Sequence, residues 1–191
     1  MRSSDTMASS ARETRALFGG AISVDLPSGF IDASDFRQVP DNQEVLVRDD
    51  SDVSLIVEVL QLSTDEGADE NLDKAVRFHF SSLAHDNSAS SSTVLETQTP
   101  SQEIPPPATP PPALLTGIQL VRKFGKASEP EEPVKIRVAL WRLPSKQIDL
   151  VLSVNEPGPG IQRDAPQSSQ AQAAFELAAA SLQIRDWSLF A

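Results

Sequence analysis

The stretch from Val134 to Asn155 does most to limit what this chain can fold into. Val134, Ile136, Val138 and Leu140 alternate with Lys135, Arg137, Ala139 and Trp141. A period of two places successive side chains on opposite faces, which is a strand and not a helix. Pro144-Ser145-Lys146 forms a short turn, and Asp149 to Asn155 (DLVLSVN) is a second apolar run. Two strands joined by so short a link pair antiparallel, so the chain must build a sheet around this hairpin.

Other segments supply more strands. Ser54 to Leu62 (SLIVEVLQL) is apolar on both faces apart from Glu58 and Gln61, as suits a strand buried between layers. Ala21 to Leu26, stopped by Pro27-Ser28-Gly29, reads as a strand, as do Gln43 to Arg48, Thr93 to Thr99 and Leu114 to Phe124. Two helices are expected. Asp69 to Ala84 carries Leu72, Val76, His79 or Phe80, and Leu83 at helical spacing, and Ser168 to Leu182 aligns Ala171, Ala174, Phe175, Ala178 and Leu182. Ser34 is placed to cap a short helical turn at Asp35 to Gln38, which must end before Pro40. The expected class is α+β: a central, largely antiparallel sheet flanked by helices in an α/β/α sandwich. Trp187 and Phe190 are expected to dock on that sheet and close the core.

A length of 191 residues favours one domain. Residues 1–16 read as a disordered tail, with order beginning at Leu17. The tail has no apolar run of signal-peptide length, and no segment approaches a membrane span. A Ser/Pro-rich insertion is expected near residues 87–113. Its prolines, Pro105 to Pro107 and Pro110 to Pro112, exclude helix and central strand and favour extended polyproline geometry. PxxP spacing suits SH3 or WW partners, but the neighbouring charge is the acidic Glu103, so the segment reads as a spacer.

With 27 acidic against 16 basic residues the net charge is -11. Such a field repels phosphate backbones and anionic lipid, so neither direct nucleic-acid nor membrane binding is expected. A partner with a basic patch would be steered in. The absence of cysteine excludes disulfides, thiolate metal sites and a cysteine nucleophile. His79 and His85 do not share a helix face, and His79 reads as a packed, hydrogen-bonded residue. A calcium loop starting at Asp50 would need glycine and glutamate where Leu55 and Gln61 stand. No phosphate-binding glycine loop and no nucleophile elbow occur. No cofactor and no enzymatic chemistry are expected.

One stretch remains unusual: Phe30 to Val45, FIDASDFRQVPDNQEV. Asp32, Asp35, Asp41 and Glu44 crowd it, with Arg37 among them. Pro40-Asp41-Asn42 is a strong turn signal. Ordinary turn chemistry explains such residues, with Asp and Asn bonding local backbone. The alternative is a pre-organised acidic loop offered to a basic partner, with Asp41 and Glu44 exposed.

This stretch resembles the Ran guanine-nucleotide release factors, the Mog-type nuclear import factors. The resemblance rests on Leu17-Phe18-Gly19-Gly20-Ala21, on Pro27-Ser28-Gly29-Phe30-Ile31-Asp32-Ala33-Ser34, and on Phe36-Arg37-Gln38-Val39-Pro40-Asp41-Asn42-Gln43-Glu44-Val45. Phe36 departs from the family's usual leucine. Ser54 to Leu62, Ala139 to Asn155 and Asp186 to Phe190 also resemble family segments. The resemblance implies a single Mog-type Ran-binding domain over residues 17–191, with a fold like that of the photosystem PsbP-type subunits. It implies a monomer of nucleus and cytoplasm that binds the small GTPase Ran, promotes release of its guanine nucleotide and supports nuclear protein import. It implies that Asp41 and Glu44 contact Ran, with Asn42 and Gln43 between them and Asp32, Asp35 and Arg37 as further candidates. An adaptor or scaffold with no effect on nucleotide is the alternative.

Overall fold

The structure is a computed structural model and describes residues 11–101, 108–122, 129–158 and 170–191. The hairpin read from the sequence lies at its centre. Strand β8 (Glu131–Leu143) pairs antiparallel with β9 (Ile148–Pro157), Val138 opposite Ser153 and Ala139 opposite Leu152. Around it the other strands complete a seven-stranded sheet: β3 (Phe30–Asp32), β4 (Gln43–Arg48), β5 (Ser54–Gln61), β6 (Ser91–Gln98) and β7 (Ala113–Arg122). The order is β3-β4-β5-β9-β8-β7-β6, and every neighbouring pair is antiparallel.

The alternation of β8 sorts two cores onto the two faces of this sheet. Ile136, Val138 and Leu140 join Ala75, Val76 and Phe80 of helix α1 (Leu72–Asp86). Ala139, Trp141 and Leu143 join Ala171, Ala174, Phe175 and Ala178 of helix α2 (Gln170–Ser181). Helices therefore cover opposite faces, in agreement with the expected sandwich. The α1 layer sits close because β7 carries Gly117 beneath it. A Cβ there would meet the Phe80 ring at 2.3 Å.

A second sheet, not foreseen from the sequence, packs on the α2 side. It contains β1 (Arg12–Leu17), β2 (Ile22–Pro27) and β10 (Gln183–Ile184) in the order β1-β2-β10. Ile22, Val24 and Leu26 of β2 are fully buried in the α2-side core. Strand β1 corrects the expectation of a disordered tail over residues 1–16. Arg12 to Leu17 pair in unbroken register with Pro27 to Ile22. Asp25 accepts hydrogen bonds from the Arg12 guanidinium and from the Thr14 hydroxyl, the latter at 2.6 Å. The polar RETR sequence hides this strand, because backbone pairing and ion pairs hold it instead of an apolar row. Residues 1–10 of the tail lie outside the described residues.

Other boundaries shift modestly. The expected insertion near residues 87–113 contains β6, which pairs with β7 through a bulge between Val94 and Glu96. Pro105 to Pro107 lie outside the described residues. Pro110 to Pro112 are half-buried, and Thr109 Oγ1 accepts a 2.8 Å bond from the Ile184 amide. This half of the segment is thus tied to the second sheet and is more than a spacer. At the C-terminus Trp187 and Phe190 meet edge to face at 6.1 Å, with Phe190 buried in the α2-side core, as expected.

His79 is a packed, hydrogen-bonded histidine. Its Nε2 donates to Asp149 Oδ2 at 2.9 Å, and the Ser63 amide donates to the same oxygen at 3.1 Å. Arg142 donates to the carbonyls of Ala68 and Ser63 at 2.7 and 2.5 Å, and its Nε lies 3.9 Å from Asp149 Oδ1. This buried cluster ties α1, the 63–68 segment, β8 and β9 together. Among the described residues no helix is long and apolar enough to cross a membrane.

Candidate functional site

The unusual acidic stretch forms the connection between β3 and β4 at the edge of the large sheet. The chain leaves β3 at Asp32 and returns on β4 at Gln43. Its first half is a single 3-10 turn, Ala33–Asp35, capped by Asp32 and not by Ser34 as expected. Asp32 Oδ1 accepts the Ser34 amide at 2.8 Å, and the amides of Phe36 and Arg37 return to the Ala33 carbonyl at 3.2 and 3.0 Å. The turn stops at Phe36, short of the expected Gln38. Ala33 is fully buried and anchors it. The second half closes with the Gln43 amide on the Pro40 carbonyl at 2.9 Å, the turn that Pro40-Asp41-Asn42 predicts.

The structure divides the expected site residues into two groups. Four are tied into the framework. Asp32 is the cap just described. Asn42 bonds Val59 in both directions: its carbonyl accepts the Val59 amide at 2.9 Å and its Nδ2 donates to the Val59 carbonyl at 3.3 Å. Gln43 Nε2 donates to Glu58 Oε1 at 2.5 Å. Glu44 Oε1 accepts the amide of Phe18 at 2.5 Å.

The Glu44 contact corrects the expectation that this carboxylate stands exposed: it is half-buried and holds the β1–β2 turn. Three consecutive residues of that turn lie in the left-handed region, Phe18 at φ 50°, Gly19 at 64° and Gly20 at 95°. The two glycines tolerate this and Phe18 does not. The Glu44 carboxylate satisfies the amide at the strained position, which ties the Leu17-Phe18-Gly19-Gly20 and Gln43-Glu44 segments together.

The other group is free. Asp35, Arg37 and Asp41 are exposed, and their side chains have no hydrogen-bond or ion-pair partner among the described residues. Two cations near β3 are engaged elsewhere: Arg48 with Asp50, at 2.6 Å from its Nε, while lying over the Phe30 ring, and Arg15 with Glu13 at 3.0 Å and the Phe30 carbonyl at 2.6 Å. The loop thus offers two unpaired carboxylates and one guanidinium on a frame secured at both ends. Sequence reasoning passed over Phe36 and Ile31, which are exposed here. The available signal was a bulky apolar residue at a turn position that no strand or helix period buries.

Glu58 supports the frame beneath. Burial holds its carboxyl above the ordinary carboxylate range, and Asp86 adds to the rise while the Gln43 bond opposes it. A carboxyl with a raised folded pKa favours folding below its unfolded pKa, and this contribution is lost as pH rises through the folded value. Glu58→Gln should therefore gain stability over the parent on going from acid to neutral pH. Melting temperatures of both proteins across pH 4 to 7 check this; parallel curves would refute it.

No group of three or more His, Cys, Asp or Glu suited to a metal occurs among the described residues. A cleft of about 1070 Å³ opens beside the start of α1, but no residue of the β3–β4 loop lines it. The loop's side chains Asp35, Phe36, Arg37 and Asp41 are exposed to solvent and line neither this cleft nor the smaller one beside β6 and α2.

Comparison with known proteins agrees. The chain belongs to the family described as Ran-interacting Mog1 protein, whose model matches residues 15–157. It is 37% identical to a Ran guanine nucleotide release factor of Danio rerio, over 75% of this chain and 78% of that one. It is 31% identical to a probable Ran guanine nucleotide release factor of Dictyostelium discoideum, over 93% of this chain and 96% of that one. The Saccharomyces cerevisiae Ran-binding protein Mog1p superposes with a TM-score of 0.71 at 29% identity, covering 96% of this chain and all of that one. A cyanobacterial PsbP shares the fold, with a TM-score of 0.58 at 12% identity.

Proposed function

We propose that this protein binds the small GTPase Ran, promotes release of its guanine nucleotide and thereby supports nuclear protein import. It acts as a monomer between nucleus and cytoplasm, with no cofactor and no covalent chemistry of its own. The observation that carries this reading is the unpaired Asp41 carboxylate on a loop whose neighbours, Asn42, Gln43 and Glu44, are all bonded to the frame. The family relation supplies the partner.

The mechanism follows from linkage. A small GTPase holds nucleotide and Mg²⁺ through a lysine-bearing phosphate loop and mobile switch segments. A protein that binds the nucleotide-free form more tightly must lower nucleotide affinity by the same factor. Asp35 and Asp41 are placed to pair with cationic groups of Ran, and Arg37 to pair with an acidic one. Asp32, Asn42, Gln43 and Glu44 hold the loop in its binding shape, so little ordering is needed on association. Release of a fluorescent nucleotide from loaded Ran, measured with and without the protein, tests the proposal. Acceleration is expected. Binding without acceleration would make the protein an adaptor instead.

A further inference from the structure

Two large apolar side chains are exposed among the described residues, Ile31 at 41% and Phe36 at 62%. Scattered apolar residues on a surface are normal and need no function. These two are not scattered. They stand five residues apart in the sequence, Ile31 on β3 and Phe36 at the end of the 3-10 turn, and the same β3–β4 connection carries the unpaired Asp35, Arg37 and Asp41. Phe30, between the two sheets, is 2% exposed, and Phe80, Phe175 and Phe190 are buried as well. The fold has the means to bury phenylalanine and does not bury Phe36.

The backbone of Phe36 is not loose. Its amide is bonded to Ala33, the next residue's amide shares that carbonyl, and Ala33 is fully buried. The ring therefore projects from a fixed turn. An aromatic presented this way loses little entropy on binding, and an apolar centre with a charged rim is the usual anatomy of a protein interface.

We infer that Phe36, assisted by Ile31, is the apolar anchor of the partner interface, and that its occupant is an apolar socket on Ran edged by lysine or arginine. The inference rests on the proposed Ran binding. Charge complementarity selects the occupant. The flanking Asp35 and Asp41, in a chain of net charge -11, call for a mainly basic rim around the socket, with one acidic group opposite Arg37. The division of labour is specific. The carboxylates steer association, and the ring slows dissociation.

The test uses the full-length chain, Ran, and surface-bound kinetics at two salt concentrations. Phe36→Ala should weaken binding by about tenfold or more, as expected for a central hot spot. The loss should lie in the dissociation rate, with association rate and salt dependence unchanged. Phe36→Leu should stay within about threefold of the parent, because the socket needs apolar bulk. Melting curves of both variants should match the parent. If the parent itself fails to bind Ran, the functional proposal falls and this inference with it. If the parent binds and Phe36→Ala binds equally well, only this inference falls. A lowered melting temperature for Phe36→Ala would make the ring structural and overturn it too. So would sedimentation of the parent as a dimer that Phe36→Ala converts to monomer, since the occupant would then be a second copy.

Discussion

Asp149→Ala should cost about 3–5 kcal/mol of stability, the range for removing one partner from a buried charged cluster. Asp149 is fully buried at the junction of α1, β8, β9 and the 63–68 segment. Without its carboxylate the Ser63 amide and the His79 Nε2–H lose their acceptor. The Arg142 guanidinium keeps its carbonyl partners but loses the nearby negative charge. An uncompensated buried donor costs its full desolvation. Asp149→Asn keeps one carbonyl acceptor and should cost less than alanine. Urea unfolding measures both, and a double-mutant cycle with His79→Ala should reveal strong coupling. Additive losses would show that the histidine bond contributes nothing. No member of the cluster is hydrogen-bonded directly to the β3–β4 loop, so Ran binding by the folded fraction should be unchanged.

Asp41→Ala should leave the melting curve as it is and weaken Ran binding by about 2–4 kcal/mol, the cost of truncating a charge that becomes desolvated in an interface. Its exposure and lack of partners make the folding effect small. Glu44→Ala should behave differently. It removes the acceptor of the Phe18 amide at a left-handed position, which should cost about 1–3 kcal/mol of stability in addition to any loss of binding. Glu44→Gln separates the two roles, because its side-chain carbonyl still accepts that amide. Stability restored with binding still lost would place the Glu44 charge on Ran. Recovery of both would mean that Glu44 works by holding the β1–β2 turn. Isothermal titration with Ran, alongside thermal melts, decides between these outcomes. Normal Ran binding by Asp41→Ala would sink the proposed site.

The Asp149 and Glu44 expectations depend on contacts between segments far apart in sequence, and this marks where sequence reading succeeds and where it stops. The large sheet was legible because β8 alternates without a break, with Ile136 to Leu140 on one face and Ala139 to Leu143 on the other. Burial on both sides of a sheet writes that period into the chain. The helices were legible for the same reason, with Val76 and Phe80, or Ala174 and Ala178, recurring on the core side. The turn at Pro40 was legible because its geometry is local and few residue types satisfy it.

The sequence by itself therefore determined the fold class, the acidic loop and the motifs that identify the family. What only the tertiary structure decided is which of the loop's charges are free. Asp35 and Glu44 look alike in the chain, yet one faces solvent and the other caps an amide 26 residues away. Strand β1 was hidden for a related reason: its pairing with β2 rests on backbone bonds and the Arg12–Asp25 ion pair, which leave no apolar period. A hydrogen bond to a distant backbone amide imposes no spacing on the residues around it, so its existence can be read only once the fold has brought the two ends together.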